Sequence, residues 1–422
     1  MGDERIRAVY LIETAHPLDK AAAIMAGEQS SGTFVAVPGE TPELVARFGA
    51  RVEQISELEP VTAPALPGAK PPKGVAAPVH RRAQVTLSFP LDNIGPSLPN
   101  LLTLVAGNLF ELSPFSGLRL LDMELPASFA ATQPGPQFGV AGTRRLAGVY
   151  GRPLIGTIIK PSVGLSPAET AALVKMLAEA GLDFVKDDEL MANPPYSPLA
   201  ARVDAVMTVV RDHAQRTGKQ VMVAFNITDD LESMLRHHDT VLAAGGTCIM
   251  VSLNSVGLTG LLALRKHSAL PIHGHRNGWG ALSRHPLLGF SYVAWQKFWR
   301  LAGADHLHVN GLHNKFCESD DSVIEAARAC LSLLAGSGPV MPVFSSGQWA
   351  GQAADTYAAL QSVDLMHLAG GGIMAHPHGP AAGAASMQQA WAAAVAGIPM
   401  ADYARTHAEL AAALDFFGRG SA

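Results

Sequence analysis

Gly181-Leu-Asp-Phe-Val-Lys-Asp-Asp-Glu189 sets a lysine and a run of acids inside an otherwise aliphatic part of the chain. Read as a strand with alternating faces, it turns Phe184, Lys186 and Asp188 to one side, with Glu189 at the turn that follows. The apolar stretches around it, Ala171 to Gly181 and Leu199 to Val210, mark a buried element, where unpaired charge is costly. One reading is a compensated ion cluster. The other is a seat for a hard, oxygen-seeking cation such as Mg²⁺, which takes few protein carboxylates and keeps positions open for substrate. On the second reading the lysine is anomalous, because an ammonium competes with a metal.

Outward from this stretch the chain alternates strand and helix. Strands are predicted at 153–160, 183–188, 220–227, 248–253, 270–275, 305–310, 339–345 and 364–369. Helices fall between them at 166–180, 229–244, 290–303 and 321–335, with a C-terminal helix at 401–416. Eight such units fit a (β/α)₈ TIM barrel, which takes about 250 residues. An open doubly wound sheet is the alternative, but no Gly-x-Gly-x-x-Gly follows the first strand.

Residues before about 135 read differently. Strands at 5–12, 33–37, 51–57, 84–89 and 118–125, with helices at 17–26 and 93–106, describe a small α+β, ferredoxin-like domain. Pro60 to Pro78 is proline-rich and reads as an exposed loop. The expected division is 1–135 for the N-terminal domain and 136–422 for the barrel.

Composition narrows the function. The 422 residues carry a net charge of -5 with no basic stripe, which argues against nucleic acid as a partner. Three cysteines without CxxC spacing argue against a disulfide or zinc framework. The charged N-terminus lacks a signal-peptide core and no stretch reaches the length of a membrane span, so a cytoplasmic location is expected.

In barrels the active site is built from the C-terminal ends of the strands. Polar residues gather there in this sequence: Lys160, then Lys186, Asp188 and Glu189, Asn226, His275 and Arg276, His308 and Asn310, Lys315, Ser345 to Gly347, and Gly370 to Gly372. The glycine triplet and the Ser345 turn suit a phosphate, as does an arginine fork.

These motifs carry a resemblance. Gly181–Glu189, Gly156-Thr-Ile-Ile-Lys-Pro161, Ile272-His-Gly-His-Arg276, Asp305-His-Leu-His308, Ser345-Ser-Gly347 and Gly370-Gly-Gly-Ile-Met-Ala-His-Pro377 resemble the ribulose-bisphosphate carboxylase (RuBisCO) large-chain family over most of the chain. The resemblance implies that Lys186 takes up CO₂ as a carbamate and becomes a third Mg²⁺ ligand beside Asp188 and Glu189. It makes Lys160 the acid/base near the enediol carbon, Lys315 the mobile-loop lysine, and His275 a pocket residue open to proton transfer. Arg276, His308 and Ser345 correspond to one phosphate site. Gly347, Gly370, Gly371 and a partner's Thr33 correspond to the other. Glu28 and Asn108 fall where the family contributes to a neighbouring subunit's site, which implies a homodimer or an oligomer of dimers.

The departures are specific. Ser162 stands where carboxylating enzymes have a second lysine, and Phe34 where they have Trp. Trp279 replaces a histidine, and the loop Val309 to Phe316 differs. The chain therefore resembles a RuBisCO-like protein (form IV): an enzyme forming an enediolate from a phosphorylated ketose or oxo-sugar acid, of isomerase or decarboxylase type, without net carbon fixation. The alternatives are a 2,3-diketo-5-methylthiopentyl-1-phosphate enolase, a Schiff-base aldolase, or a non-catalytic regulatory protein.

Overall fold

The computed structural model describes residues 4–31, 37–75 and 77–419. They form two compact units. The first holds Met1–Gln133, Gly278–Leu301 and Leu334–Ser337, and the second Pro134–Asn277, Ala302–Leu333 and Gly338–Ala422.

Four antiparallel strands make most of the first unit's sheet: β1 (Arg5–Thr14), β2 (Arg51–Val61), β3 (His80–Pro90) and β4 (Phe115–Glu124). Alternation in β1 buries Ile6, Ala8, Tyr10 and Ile12 on one face. The helices Leu18–Glu28 and Leu98–Val105 bury Leu18, Ala21 and Met25, and Leu98, Leu101 and Leu104. The described residues between β2 and β3 form no helix or strand, as expected of the proline-rich stretch. The short helix Pro42–Phe48 was not legible in the sequence, since it buries nothing and rests on the Thr41 cap. The strand predicted at 33–37 falls largely outside the described residues.

The second unit is a closed parallel barrel. Its strands are β5 (Leu154–Ile158), β6 (Phe184–Lys186), β7 (Met222–Asn226), β8 (Cys248–Ser252), β9 (Ile272–His275), β11 (His306–His308), β12 (Met341–Phe344) and β13 (Met366–Leu368). The remaining strand, β10 (Leu288–Phe290), pairs in parallel with β4 and so extends the first unit's sheet to order β10-β4-β1-β3-β2. Three residues carry too little periodicity to announce a strand, and the sequence reading missed it. The predicted C-terminal helix is two, Met400–Ala404 and Ala408–Gly418.

Met222, Ala224, Cys248, Met250, Met341, Val343, Met366 and Leu368 form one apolar cluster with Leu154 and Phe184. Where β9 and β11 face it, His273 and His306 stand instead, both fully buried, with the Phe184 ring 5.2 and 6.2 Å from theirs. Gly156 is required by close approach: a Cβ there would lie 2.4 Å from the Phe184 carbonyl oxygen. Among the described residues no helix is long and apolar enough to cross a membrane.

Candidate active site

β6 stops at Lys186, so Asp187, Asp188 and Glu189 lie in the turn rather than continuing the alternation. Asp187 is turned away from the mouth. Its carboxylate accepts from Arg202 at 3.1 Å and from the Asn226 backbone N–H at 3.0 Å, which fixes the turn from beneath. The Asn226 side chain donates to the carbonyls of Asp188 and Glu189. Asp188 and Glu189 are thereby held at the open end of the barrel.

Lys186 is 1% exposed. Its Nζ donates to the Asp187 carbonyl at 2.9 Å and lies 3.5 Å from Glu189 Oε2. Burial lowers its pKa, against the pull of Glu189 and Asp188. A lysine biased towards the free amine is the form that can react with CO₂. Two carboxylates suit Mg²⁺, which keeps other positions for water and substrate, and a carbamate on Lys186 would replace a competing ammonium with a third oxygen donor, so the donor set fits the ion.

Lys160 follows β5 and reaches across to the same turn, donating to Asp188 Oδ2 at 2.8 Å and to Ser162 Oγ at 2.6 Å. Burial raises the Asp188 pKa, but the bonds from Lys160 and Ser162 outweigh it and leave the carboxyl below its usual range. Ser162, noted in the sequence only as a missing lysine, thus orients Lys160. Gly370, at the end of β13, lies beside it: a Cβ there would meet Lys160 Cε at 3.8 Å. The carbonyls of Gly370 and Gly371 accept from Met374 and Ala375, so these residues start a short turn of helix whose first N–H groups have no partner within it.

His275 Nε2 lies 3.5 Å from Glu189 Oε2. Burial and the nearby Lys186 push its pKa down to about 4. Arg276 pairs with Glu318, which also accepts from Asn310 Nδ2 at 2.7 Å and Ser322 Oγ at 2.9 Å. Lys315 packs beside the positive-φ Gly347, where an added Cβ would lie 3.4 Å from Lys315 Cβ, and its Nζ lies over the Phe316 ring. Asn310 and Ser346 also hold left-handed backbone, uncommon for residues with a side chain, and Ser346 Oγ donates to Asn310 Oδ1.

His308 ends a chain of hydrogen bonds that crosses the barrel interior. Thr143 Oγ1 lies 2.5 Å from the Gly139 carbonyl oxygen, a separation that needs a hydrogen between the two oxygens, and the threonine alone can supply it. Thr143 therefore accepts from His306 Nε2–H at 2.8 Å. His306 Nδ1 is then bare and accepts from His273 Nδ1–H at 3.2 Å. His273 Nε2 accepts from His308 Nε2–H at 2.7 Å, and His308 Nδ1 accepts from the Ser345 hydroxyl at 3.0 Å. Burial keeps all three rings neutral: His306 is pushed down to about 3, and His273 and His308 go well below the usual histidine range. The sequence reading used these histidines as motif letters and gave His273 and His306 no role. Two His-x-His pairs on neighbouring strands were the available signal.

Glu28 and Asn108 belong to the first unit, where Asn108 Nδ2 donates to Glu28 Oε1 at 3.3 Å. Thr33 lies outside the described residues. Glu318 was missed because it falls beyond the loop the sequence reading quoted. Elsewhere in the barrel unit, His238, Asp239 and His267 cluster at metal-binding spacing. The Ala269 N–H donates to His238 Nε2, so Nδ1–H must donate to Asp239, and the group reads as a brace between two helices.

The chain matches the ribulose bisphosphate carboxylase large chain N-terminal domain over residues 2–129 and its catalytic domain over 139–417, and it belongs to that family, in its RuBisCO-like branch. It is 56% identical over 416 residues to a 3-oxo-isoapionate-4-phosphate transcarboxylase/hydrolase of Xanthobacter autotrophicus, covering 98% of this chain and 99% of that one. It is 49% identical to a 3-oxo-isoapionate-4-phosphate decarboxylase of Rhizobium rhizogenes, covering 98% and 99%. A crystal structure of a rubisco-like protein from Burkholderia fungorum superposes with a TM-score of 0.92 at 52% identity, covering 98% and 100%.

Proposed function

We propose that this protein is a Mg²⁺-dependent enzyme that removes the carboxyl group of a phosphorylated oxo-sugar acid of the 3-oxo-isoapionate-4-phosphate kind. Both relatives' names describe action on that compound, and both describe movement of a carboxyl group. The observation that carries the reading is the meeting of Lys160, Asp188 and Ser162 beside the buried Lys186. Lys186, as a carbamate, with Asp188 and Glu189 would hold the ion. When bound, the ion makes it easier for negative charge to develop on oxygens next to the breaking bond.

The chain's own residues do the rest. Gly347, Gly370 and Gly371 hold the phosphate through backbone N–H groups, helped by Thr33 of a partner subunit. This places the oxo group and its neighbouring carboxylate towards Lys160. The carbon–carboxyl bond breaks, its electron pair passes into the adjacent carbonyl to give an enediolate, and CO₂ leaves. Lys160, steadied by Ser162, returns a proton to the carbon. Lys315 and the loop that carries it cover the substrate, and neutral His275 lines the wall. Glu28 and Asn108 complete a partner's pocket in a homodimer.

Incubation with 3-oxo-isoapionate 4-phosphate, Mg²⁺ and bicarbonate tests the reading. Loss of the carboxyl carbon by ¹³C NMR is expected, and EDTA should abolish it. An intact substrate under these conditions contradicts the proposal.

A further inference from the structure

The family resemblance gives Arg276, His308 and Ser345 to a second phosphate, yet in this chain a carboxylate engages Arg276 Nη2, and the His308 and Ser345 hydrogens serve internal partners. Arg276 is paired with Glu318, and both residues are largely buried, with side chains 8% and 14% exposed. Glu318 does not hang loosely on the arginine. Asn310 Nδ2 and Ser322 Oγ hold its two oxygens separately. The His308 Nε2–H is given to His273, and the Ser345 hydrogen is given to His308.

The direction of the Ser345 bond cannot reverse while the chain is intact. Reversal would require each of the three rings to exchange its proton for that of the other nitrogen, ending with a donor at the Gly139 carbonyl, which has none. Ser345 Oγ consequently offers lone pairs to a ligand. So does the Glu318 carboxylate. A phosphate reaching Arg276 would meet these acceptors and the like charge of Glu318 beside the guanidinium.

The geometry points to Glu318 as a specificity-determining residue that takes the place of a second anionic group at Arg276. The end of the pocket formed after β9, β11 and β12 accepts the neutral, hydroxyl-bearing end of a sugar-acid monophosphate and disfavours bisphosphates. The inference rests on the proposed function only for the other phosphate, held at the glycines.

Calorimetric titration of the full-length protein with ribulose 1,5-bisphosphate, ribulose 1-phosphate and ribulose 5-phosphate tests it without turnover. The bisphosphate should bind no more tightly than the better monophosphate. In Glu318→Gln the bisphosphate should gain about ten-fold or more relative to that monophosphate, as one like charge is removed. A bisphosphate that binds the wild type more tightly than either monophosphate overturns the inference, and this comparison stands even if the variant fails to fold. A folded Glu318→Gln with a smaller change in the ratio overturns it as well. Failure of the proposed reaction is read separately: correct binding preferences with an untouched oxo acid contradict the function and leave Glu318 its role.

Discussion

Lys186 concentrates the chemistry at the residue scale. A lysine 1% exposed, whose burial lowers its pKa, is biased towards the free amine, and on the proposed reading its uptake of CO₂ would turn a repelled metal into a bound one. Lys186→Ala should abolish activity. Wild-type protein given ¹³C-bicarbonate and Mg²⁺ should show a carbamate signal that the variant lacks. An active wild type with no carbamate signal would contradict this. Lys160→Met should lower kcat by about 10² or more with little change in substrate affinity, because the phosphate contacts are untouched. Most residues at the barrel mouth were legible because each strand ends in a polar letter. Their partners were not. That Glu318 engages Arg276, or that Ser162 steadies Lys160, depends on side chains meeting across loops, which spacing along one chain does not encode.

The elements themselves were read more fully. All eight barrel strands fall within a few residues of expectation, six as short runs of mostly apolar residues and two, β9 and β11, as His-x-His segments. Strand β10 and the helix Pro42–Phe48 were invisible because neither has a buried face long enough to set a period. The start of β6 depends on Asp183, which is fully buried and accepts from Arg152 at 2.5 and 2.9 Å, Lys219 at 2.8 Å and the Ile155 N–H at 2.9 Å. Burial alone would raise its pKa, but these partners outweigh it and hold the carboxyl below its ordinary value. Its stabilisation is therefore complete above the unfolded carboxylate pKa of about 4 and is lost as pH falls through the lower folded value. Asp183→Asn should cost about 1–3 kcal/mol in denaturant unfolding at neutral pH, since it weakens the charged hydrogen bonds from Arg152 and Lys219, which are partly exposed. The penalty should shrink in strong acid. An unchanged midpoint at neutral pH would contradict it.

At the scale of the whole molecule, two residues of the first unit, Glu28 and Asn108, belong on the proposed reading to a partner's pocket. Glu28 and Asn108 are hydrogen-bonded to each other within that unit. If they act in a neighbour's pocket, the smallest active unit is a homodimer. Mixing and refolding Lys186→Ala with Asn108→Ala, each inactive alone, should restore activity to about a quarter of wild type through hybrids with one intact site. An active monomer in a sedimentation assay, or no recovery in verified hybrids, contradicts this.

The central claim is that the carboxyl group leaves and a proton takes its place. Reaction of 3-oxo-isoapionate 4-phosphate in D₂O, followed by NMR and mass spectrometry, tests it directly. The product should lack the carboxyl carbon and carry one deuterium on the carbon that bore it. Retention of the carboxyl group, or formation of 3-phosphoglycerate from ribulose 1,5-bisphosphate and CO₂ by the same protein, would contradict it.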